Sequence, residues 1–193
     1  MGSDSRVQVD YLIVGQGLAG SLLALNLLKR GKLIRVIDDG HKHAASKVAA
    51  GLINPITGRR HALTWRFLEF WNFLESDYVR WEELLGDLFF HKIPLLRFFK
   101  NDEEQARFEK KWEAGGFEGI DVGYPGSMED VPFCKYEEPS YRLNQTGYVD
   151  QALFIKRVRR FLDQESAVLT DTWSDTDVSR EPGEVRWKNI SAK

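Results

Sequence analysis

YLIVGQGLAG, residues Tyr11–Gly20, decides the fold of this chain. An apolar run typical of a strand buried on both faces leads into a glycine-rich turn, and helix-forming residues follow the turn. Gly15 permits a tight turn off the strand, Gly17 lets a phosphate approach the backbone, and Gly20 lets the helix pack closely on the sheet. The stretch predicts a strand, a turn and a helix whose free N–H groups bind a pyrophosphate.

The second half of the motif is a short apolar strand, Leu33–Ile37, that ends at Asp38. A carboxylate at this place accepts hydrogen bonds from the hydroxyl groups of an adenosine ribose. Leucines at helical spacing give the intervening helix a broad apolar face, and Gly31 suits the end of that helix. The order of strand, glycine turn, helix, strand and acid predicts a dinucleotide site. The alternative is a glycine turn that serves packing alone.

Composition narrows the class of protein. The 193 residues carry a formal net charge of −2 and are 42% hydrophobic, which suits one large domain or two interleaved ones. Basic and acidic residues are mixed, so we expect no nucleic-acid partner. No apolar stretch reaches the length of a membrane span, so we expect no membrane partner. The single cysteine, Cys134, fits a reducing compartment, and we expect a cytoplasmic protein.

The middle of the chain is rich in aromatic residues. Apolar side chains at three- and four-residue spacing predict a helix over 64–85, ended by Gly86. We interpret its aromatic stripe, which begins at Trp65, as core rather than as a ligand site. Strand-forming residues over 89–99 are interrupted by Pro94, which predicts an edge strand, a bulge or two short strands.

A domain that begins with a β-α-β pattern needs a third parallel strand. Ala167–Thr170 is the first segment that can supply it, after a helix that Asp150 can cap. We interpret the basic residues of that helix, Lys156–Arg160, as its solvated face. A further strand, Glu184–Trp187, is expected to pair near Ala167–Thr170.

These strands predict a discontinuous domain. The dinucleotide-binding domain is expected over 7–56 and 147–193, with 57–146 forming part of an inserted second domain. The chain ends at Lys193, before a strand and glycine turn that would complete the sheet, so we expect an incomplete, N-terminal portion of a longer protein. The uncovered sheet would expose apolar surface, which predicts self-association.

A segment of small residues, Ala45–Pro55, follows the ribose acid. Small side chains allow a backbone to pass close to something flat or bulky. Beside a dinucleotide motif, we interpret the segment as a loop under the cofactor, with Ser46 and backbone N–H groups as donors. The alternative is tight loop packing.

Taken together, Gly15–Gly20, Asp38, Ala45–Pro55 and Gly147–Asp150 resemble the FAD-dependent oxidoreductases of the D-amino-acid oxidase and glycine oxidase type. These include a flavoprotein domain that acts on modified tRNA uridine. The resemblance spans nearly the whole chain. It implies an α/β fold in which a Rossmann-like FAD-binding domain, incomplete here, is interleaved with a substrate domain built on an antiparallel sheet. It also implies FAD as the cofactor and oxidation of a C–N bond of an amine or amino acid by hydride transfer to the flavin N5.

The resemblance also implies roles for individual residues. Those beside the pyrophosphate are Gly15, Gly17, Leu18, Ala19, Gly20, Ala45 and Ser46. The ribose acid is Asp38, Asp39 lies near the adenosine, and the backbone near Trp173 lines the adenine. The stretch that approaches the flavin ring is Ala50, Gly51 and Leu52. No catalytic acid or base is assigned, because the flavin carries the chemical step and a neutral amine needs no strong side-chain base.

Two other interpretations stay open. An NAD-dependent reductase shares the glycine motif; Asp38 argues against NADP because it would repel a 2′-phosphate, and Ala45–Pro55 argues against NAD. A truncated fragment that binds a dinucleotide without catalysis fits the ending at Lys193. His41 and His43 have no acidic or cysteine residue at metal-ligand spacing, so we expect a solvated turn and no metal site.

Overall fold

The computed structural model describes residues 7–40, 45–124 and 139–193, which fall into two compact units. The first unit contains residues up to Ala49 and those from Gln151 to Lys193, and the second contains Ala50–Asp150. His41, His43 and Cys134 lie outside the described residues. Among the described residues, no helix combines the length and apolar character needed to cross a membrane.

A three-stranded parallel sheet forms the centre of the first unit. Its strands, in spatial order, are Val168–Leu169, Ile34–Ile37 and Tyr11–Val14. Tyr11 pairs with Ile34, and Val168 pairs in parallel with Val36. The prediction that Ala167–Thr170 supplies the third parallel strand is therefore confirmed.

Two helices of the first unit pack on this sheet and on each other. The first, Leu18–Lys29, follows the glycine turn, and the chain leaves it at Gly31 with a positive φ of 69°. The second, Gln151–Gln164, connects to the third parallel strand and is called the crossover helix below. The crossover helix buries apolar side chains at three- and four-residue spacing: Phe154, Ile155, Val158 and Leu162.

Four strands form a second sheet in the first unit. In spatial order they are Val7–Val9, Ile190–Ala192, Glu184–Trp187 and Val178–Glu181. Only the first two of these run parallel. The expected pairing of Glu184–Trp187 near Ala167–Thr170 is wrong. Pro182 and Gly183, the latter with a φ of 80°, make the turn that folds Glu184–Trp187 back on the strand before it.

The second unit contains small antiparallel sheets, as the family resemblance implies for a substrate domain. One sheet consists of Leu52–Ile53, Gly147–Val149 and Phe90–Lys92. Another consists of Leu95–Phe98, Ser140–Leu143 and Val122–Gly123, and a hairpin pairs Ile56–Thr57 with Ala62–Leu63. Pro94 separates two short strands, which is one of the three outcomes that the sequence predicts.

The division between the units differs from the predicted domain bounds. Leu52–Ile53 and Gly147–Val149, which the sequence assigns to the dinucleotide-binding domain, lie in the second unit. Gly147 pairs with both Ile53 and Lys92, so main-chain hydrogen bonds hold these segments to the second unit. The functional role of each unit stays a prediction.

The long helix of the second unit has three parts. They are an α-helix at Phe67–Phe73, a π-helical turn at Leu74–Tyr78 and an α-helix at Val79–Leu85. The helix stops at Gly86 as predicted, with a φ of 70°. Trp71, Tyr78 and Trp81 are buried, so the core interpretation is confirmed for them. It is wrong for Trp65, which precedes the helix and is 71% exposed.

His61 lies in the aromatic core of the second unit. That core includes Phe67, Trp71, Phe99, Phe108, Phe117 and Tyr141. The ring of His61 is 1% exposed and lies 5.2 Å from the ring of Phe108, centroid to centroid. Its Nε2 atom is 3.3 Å from Oε1 of Glu104, which also pairs with Arg97 at 3.2 Å. A titratable ring is thus enclosed by apolar groups, with a carboxylate and a guanidinium beside it.

This environment makes stability depend on pH. Burial lowers the pKa of His61, Arg97 and Lys111 lower it further, and Glu104 opposes them. In the unfolded chain His61 binds a proton near pH 6.5, whereas in the folded chain it stays neutral to a lower pH. We therefore expect the free energy of unfolding to fall as the pH drops below about 6.5.

Urea unfolding of the wild type and His61→Gln across this pH range measures the effect. On acidification, the free energy of unfolding should fall more steeply for the wild type than for His61→Gln. A stability difference that is independent of pH would contradict the assignment of the proton to His61.

Candidate functional site

The glycine turn of the first unit has three positions with different demands on the backbone. Gly15 has a φ of 87°, which other residues rarely adopt. A Cβ at Gly20 would lie 2.0 Å from the carbonyl oxygen of Gly15, so only glycine lets the helix approach the strand this closely. Gly17 has an extended backbone with φ −78°, and a Cβ there would meet only Oγ of Ser46, at 3.3 Å. Any side chain at Gly17 would therefore crowd Ser46, and its absence leaves the backbone of Gly17 accessible beside that hydroxyl.

Ser46 lies at the N-terminus of the first helix. Its Oγ accepts a hydrogen bond from the N–H of Leu18 at 3.3 Å. Gly17, at the N-cap position, has no side chain to cap the helix. The first N–H groups of a helix have no intrahelical acceptor and carry its positive dipole end, which favours an anion. The structure thus brings Ala45 and Ser46, on the short helix Ala45–Val48, to the same end of the first helix as the glycine turn.

Asp38 lies where the middle parallel strand ends, beside the glycine turn. Its Oδ2 accepts a hydrogen bond from the N–H of Gln16 at 2.8 Å, and its Oδ1 accepts one from the N–H of Gly40 at 2.9 Å. The N–H of Asp38 donates to the carbonyl of Leu169 on the third strand at 3.0 Å. Asp39, the next residue, is exposed. The carboxylate of Asp38 is therefore held in place by two neighbouring turns.

Two residues that the sequence analysis does not assign to the site contribute to it. The buried side chain of Gln16 donates to Oγ of Ser21 at 2.8 Å and to the carbonyl of Ile155 at 3.0 Å. Nη1 of Arg159 lies 3.2 Å from Oδ1 of Asp38, so Arg159 does not belong to a purely solvated face. Arg159 lies one helical turn after Ile155, and this spacing is the only sequence signal that connects it to the site.

A cavity of about 370 Å³ opens beside Asp38 within the first unit. Its walls are formed by Gln16, Asp38, Gly40, Ala152, Ile155, Lys156 and Arg159. The volume lies in the range of small-molecule sites, and most of the lining residues are polar or charged, with Ala152 and Ile155 as the apolar ones. Trp173 lines a different cavity, with Tyr11 and Leu12, and its ring stacks on that of Trp187.

The stretch Ala50–Leu52 belongs to the second unit. Gly51 has a φ of 65°, and its carbonyl accepts a hydrogen bond from the N–H of Val149 at 3.0 Å. A Cβ at Gly51 would lie 2.0 Å from the carbonyl oxygen of Val149. Tight backbone packing therefore accounts for this glycine without a ligand. Ala50 and Leu52 are exposed, the latter by 75%.

The parallel strands, the glycine turn and the acid define the class of dinucleotide-binding α/β proteins. Over residues 10–170 the chain matches the profile of the family described as FAD dependent oxidoreductase. The chain belongs to this family of FAD-dependent oxidoreductases, as the resemblance in its sequence predicts.

Solved structures share the fold. Glycine oxidase from Bacillus cereus is 20% identical, with a TM-score of 0.73 over 92% of this chain and 50% of that chain. L-amino acid deaminase from Proteus vulgaris is 13% identical, with a TM-score of 0.72 over 100% of this chain and 47% of that chain. L-alpha-glycerophosphate oxidase from Mycoplasma pneumoniae, solved with FAD bound, is 18% identical, with a TM-score of 0.66 over 96% and 52%. The predicted fold class is confirmed, and the chain spans about half the length of these proteins.

Proposed function

We propose that the first unit binds FAD and that the protein oxidises a C–N bond of an amine or amino acid. One observation carries the proposal: the open backbone at Gly17, the N-terminus of the first helix and the fixed carboxylate of Asp38 meet at one edge of the parallel sheet. A pyrophosphate needs close backbone approach and N–H donors, and a ribose needs an acceptor a short distance away. The family of the chain favours FAD over NAD as the dinucleotide.

The residues present fit this cofactor. The N–H groups of the first helical turn, at Leu18, Ala19 and Gly20, would hold the pyrophosphate, together with Ala45 and Ser46. Gly15 would set the turn, and Gly17 would leave room for the phosphates. Asp38 would accept from the ribose, with Asp39 near the adenosine. That Ala50, Gly51 and Leu52 approach the flavin stays a prediction from the family resemblance alone. When bound, FAD supplies the hydride acceptor at N5 of its ring.

The names of the solved structures indicate more than one substrate class for this fold. The names of glycine oxidase and L-amino acid deaminase support an amine or amino-acid substrate, whereas L-alpha-glycerophosphate oxidase has the same fold and a different substrate. We assign no catalytic acid or base to this chain. A dinucleotide-binding fragment without catalysis remains the alternative for these 193 residues alone, since they span about half of the matched proteins.

Asp38 provides the test of the cofactor assignment. We expect Asp38→Ala to weaken FAD binding by at least about ten-fold, because a charged hydrogen-bond acceptor for the ribose is lost. The matched control is Asp39→Ala, which removes the adjacent, exposed carboxylate and should have a smaller effect. Titration of each chain with FAD, followed by flavin fluorescence, gives both dissociation constants.

Asp38→Asn keeps the size of the side chain and separates loss of the acceptor from local unfolding of the turn at Gly40. Equal FAD affinity in the Asp38 and Asp39 variants would contradict the ribose assignment.

A cytoplasmic location and self-association stay predictions. The lone cysteine in 193 residues supports the cytoplasmic location.

A further inference from the structure

Arg159 is fixed at the ribose end of the candidate site by contacts on three sides. Its Nη1 lies 3.2 Å from Oδ1 of Asp38, its Nη2 donates to Oγ1 of Thr170 at 2.5 Å, and its Nε lies 3.6 Å from Oδ2 of Asp163. The side chain of Arg159 is 23% exposed and that of Asp38 is 16% exposed. A guanidinium on the crossover helix thus connects the residues that follow the second and third parallel strands.

The hydrogen bonds of Asp38 leave it little capacity for a ligand. Its Oδ1 accepts from Gly40 and from Arg159, and its Oδ2 accepts from Gln16. A carboxylate offers about four lone-pair sites, two on each oxygen. One site, on Oδ2, therefore remains for a ribose that presents two hydroxyl groups.

Arg159 has hydrogen-bond donors available for a ligand. A guanidinium carries five N–H donors, and the contacts to Asp38, Thr170 and Asp163 leave donors over. Arg159 also lines the cavity beside Asp38. A ribose hydroxyl both donates and accepts, so a carboxylate and a guanidinium side by side satisfy a vicinal diol more completely than a carboxylate alone.

We propose that Arg159 is a ribose-binding residue of the adenosine site, and that the diol is recognised by the Asp38–Arg159 pair rather than by Asp38 alone. Arg159 also positions Asp38, because it occupies Oδ1 and leaves Oδ2 as the acceptor that faces the ligand. This inference rests on the proposed function, since it requires that the site takes an adenine nucleotide. It adds a residue from the crossover helix to a site that the sequence motif places on the first two strands.

The neighbouring cation does not fill the same role. Lys156 also lines the cavity, but its side chain is exposed, whereas Arg159 is half-buried and fixed by its partners. The planar fork of arginine contacts two groups at once, which the single ammonium of lysine does not reproduce. Arg159→Lys is therefore expected to keep the charge beside Asp38 and to restore only part of the binding.

The test compares two nucleotides that differ only in the ribose hydroxyls. ADP and 2′,3′-dideoxy-ADP are titrated by calorimetry into the wild type, Arg159→Gln, Arg159→Lys and the control Arg160→Gln, which changes an exposed residue of the same helix. We expect Arg159→Gln to weaken ADP binding by about ten-fold, the worth of a charge-assisted hydrogen bond. It should leave binding of the dideoxy nucleotide unchanged, and Arg160→Gln should change neither.

Each other outcome overturns the proposal in a recognisable way. Equal weakening of both nucleotides in Arg159→Gln would show that Arg159 supports the fold and does not act through the hydroxyls. Unchanged ADP binding would show that Asp38 recognises the ribose alone. A wild type that binds neither ADP nor FAD would overturn the proposed function itself and, with it, this inference. If Arg159→Gln fails to fold, Arg159→Lys decides the question, because it must still lose affinity for ADP and not for the dideoxy nucleotide.

Discussion

Gly17→Val is expected to abolish FAD retention while the first unit stays folded. Gly17 has a backbone conformation that valine adopts without strain. A Cβ there would lie 3.3 Å from Oγ of Ser46, so this small side chain must shift slightly to make room. A branched side chain would instead fill the space through which the phosphates reach the backbone. We expect the affinity for FAD to fall by at least about 100-fold, or about 2.7 kcal/mol.

Fluorescence titration with FAD measures the affinity of Gly17→Val, and a thermal melt by circular dichroism measures whether it is folded. The control is Gly123→Val, since Gly123 likewise has an ordinary φ, has no atom within 4 Å of its Cβ position and lies in the second unit. Unchanged FAD affinity in Gly17→Val would refute the pyrophosphate assignment. A variant that does not fold would show that Gly17 serves the fold rather than the ligand.

Gly20→Ala, unlike Gly17→Val, is expected to cause a severe loss of stability. The added methyl group would lie 2.0 Å from the carbonyl oxygen of Gly15 and 3.1 Å from its carbonyl carbon, so the helix must move away from the strand. Alanine in a helix is intrinsically better than glycine by about 1 kcal/mol, which predicts stabilisation if nothing else mattered. We expect overpacking to outweigh this gain and to destabilise the first unit by about 3 kcal/mol.

Urea unfolding of Gly20→Ala and of Gly15→Ala tests whether overpacking is the cause of the destabilisation. Gly15 has no atom within 4 Å of its Cβ position, so alanine there meets only the strain of a positive φ, about 1–2 kcal/mol. We expect Gly20→Ala to be the less stable of the two. A Gly20→Ala chain as stable as the wild type would contradict the close approach of helix and strand.

The β-α-β unit was predictable from sequence because its backbone restricts residue type at identifiable positions. Gly15 needs a positive φ, Gly20 needs the absence of a Cβ, and Asp38 must follow an apolar strand directly. Each of these requirements is met by a particular residue type at a fixed spacing in the sequence. The third strand was predictable for a different reason, since a parallel strand needs a helical crossover before it.

Long-range pairing was not predictable in the same way. Gly147 pairs with Ile53 and Lys92, residues far away in the sequence, and no local pattern specifies that choice. The predicted domain bounds are therefore displaced from those of the compact units. The partner of Glu184–Trp187, in contrast, has a local signal, because Pro182-Gly183 favours a turn that folds this strand back on the one before it.

No sequence motif predicts the contribution of Arg159 to the site. It reaches Asp38 across 121 positions of sequence, and a basic residue on an amphipathic helix usually faces solvent. Its long side chain places the guanidinium well away from its own backbone, so helical periodicity describes the position of the Cα atom and not that of the charge.

The visible absorbance spectrum of the purified chain, recorded after incubation with FAD and desalting, shows whether these residues hold FAD. We expect flavin bands to stay with the wild-type protein, at about one flavin per chain, and to be lost from Gly17→Val under the same treatment. A wild-type chain that emerges folded and colourless, with all of the flavin in the small-molecule fraction, would contradict the claim that these residues hold FAD.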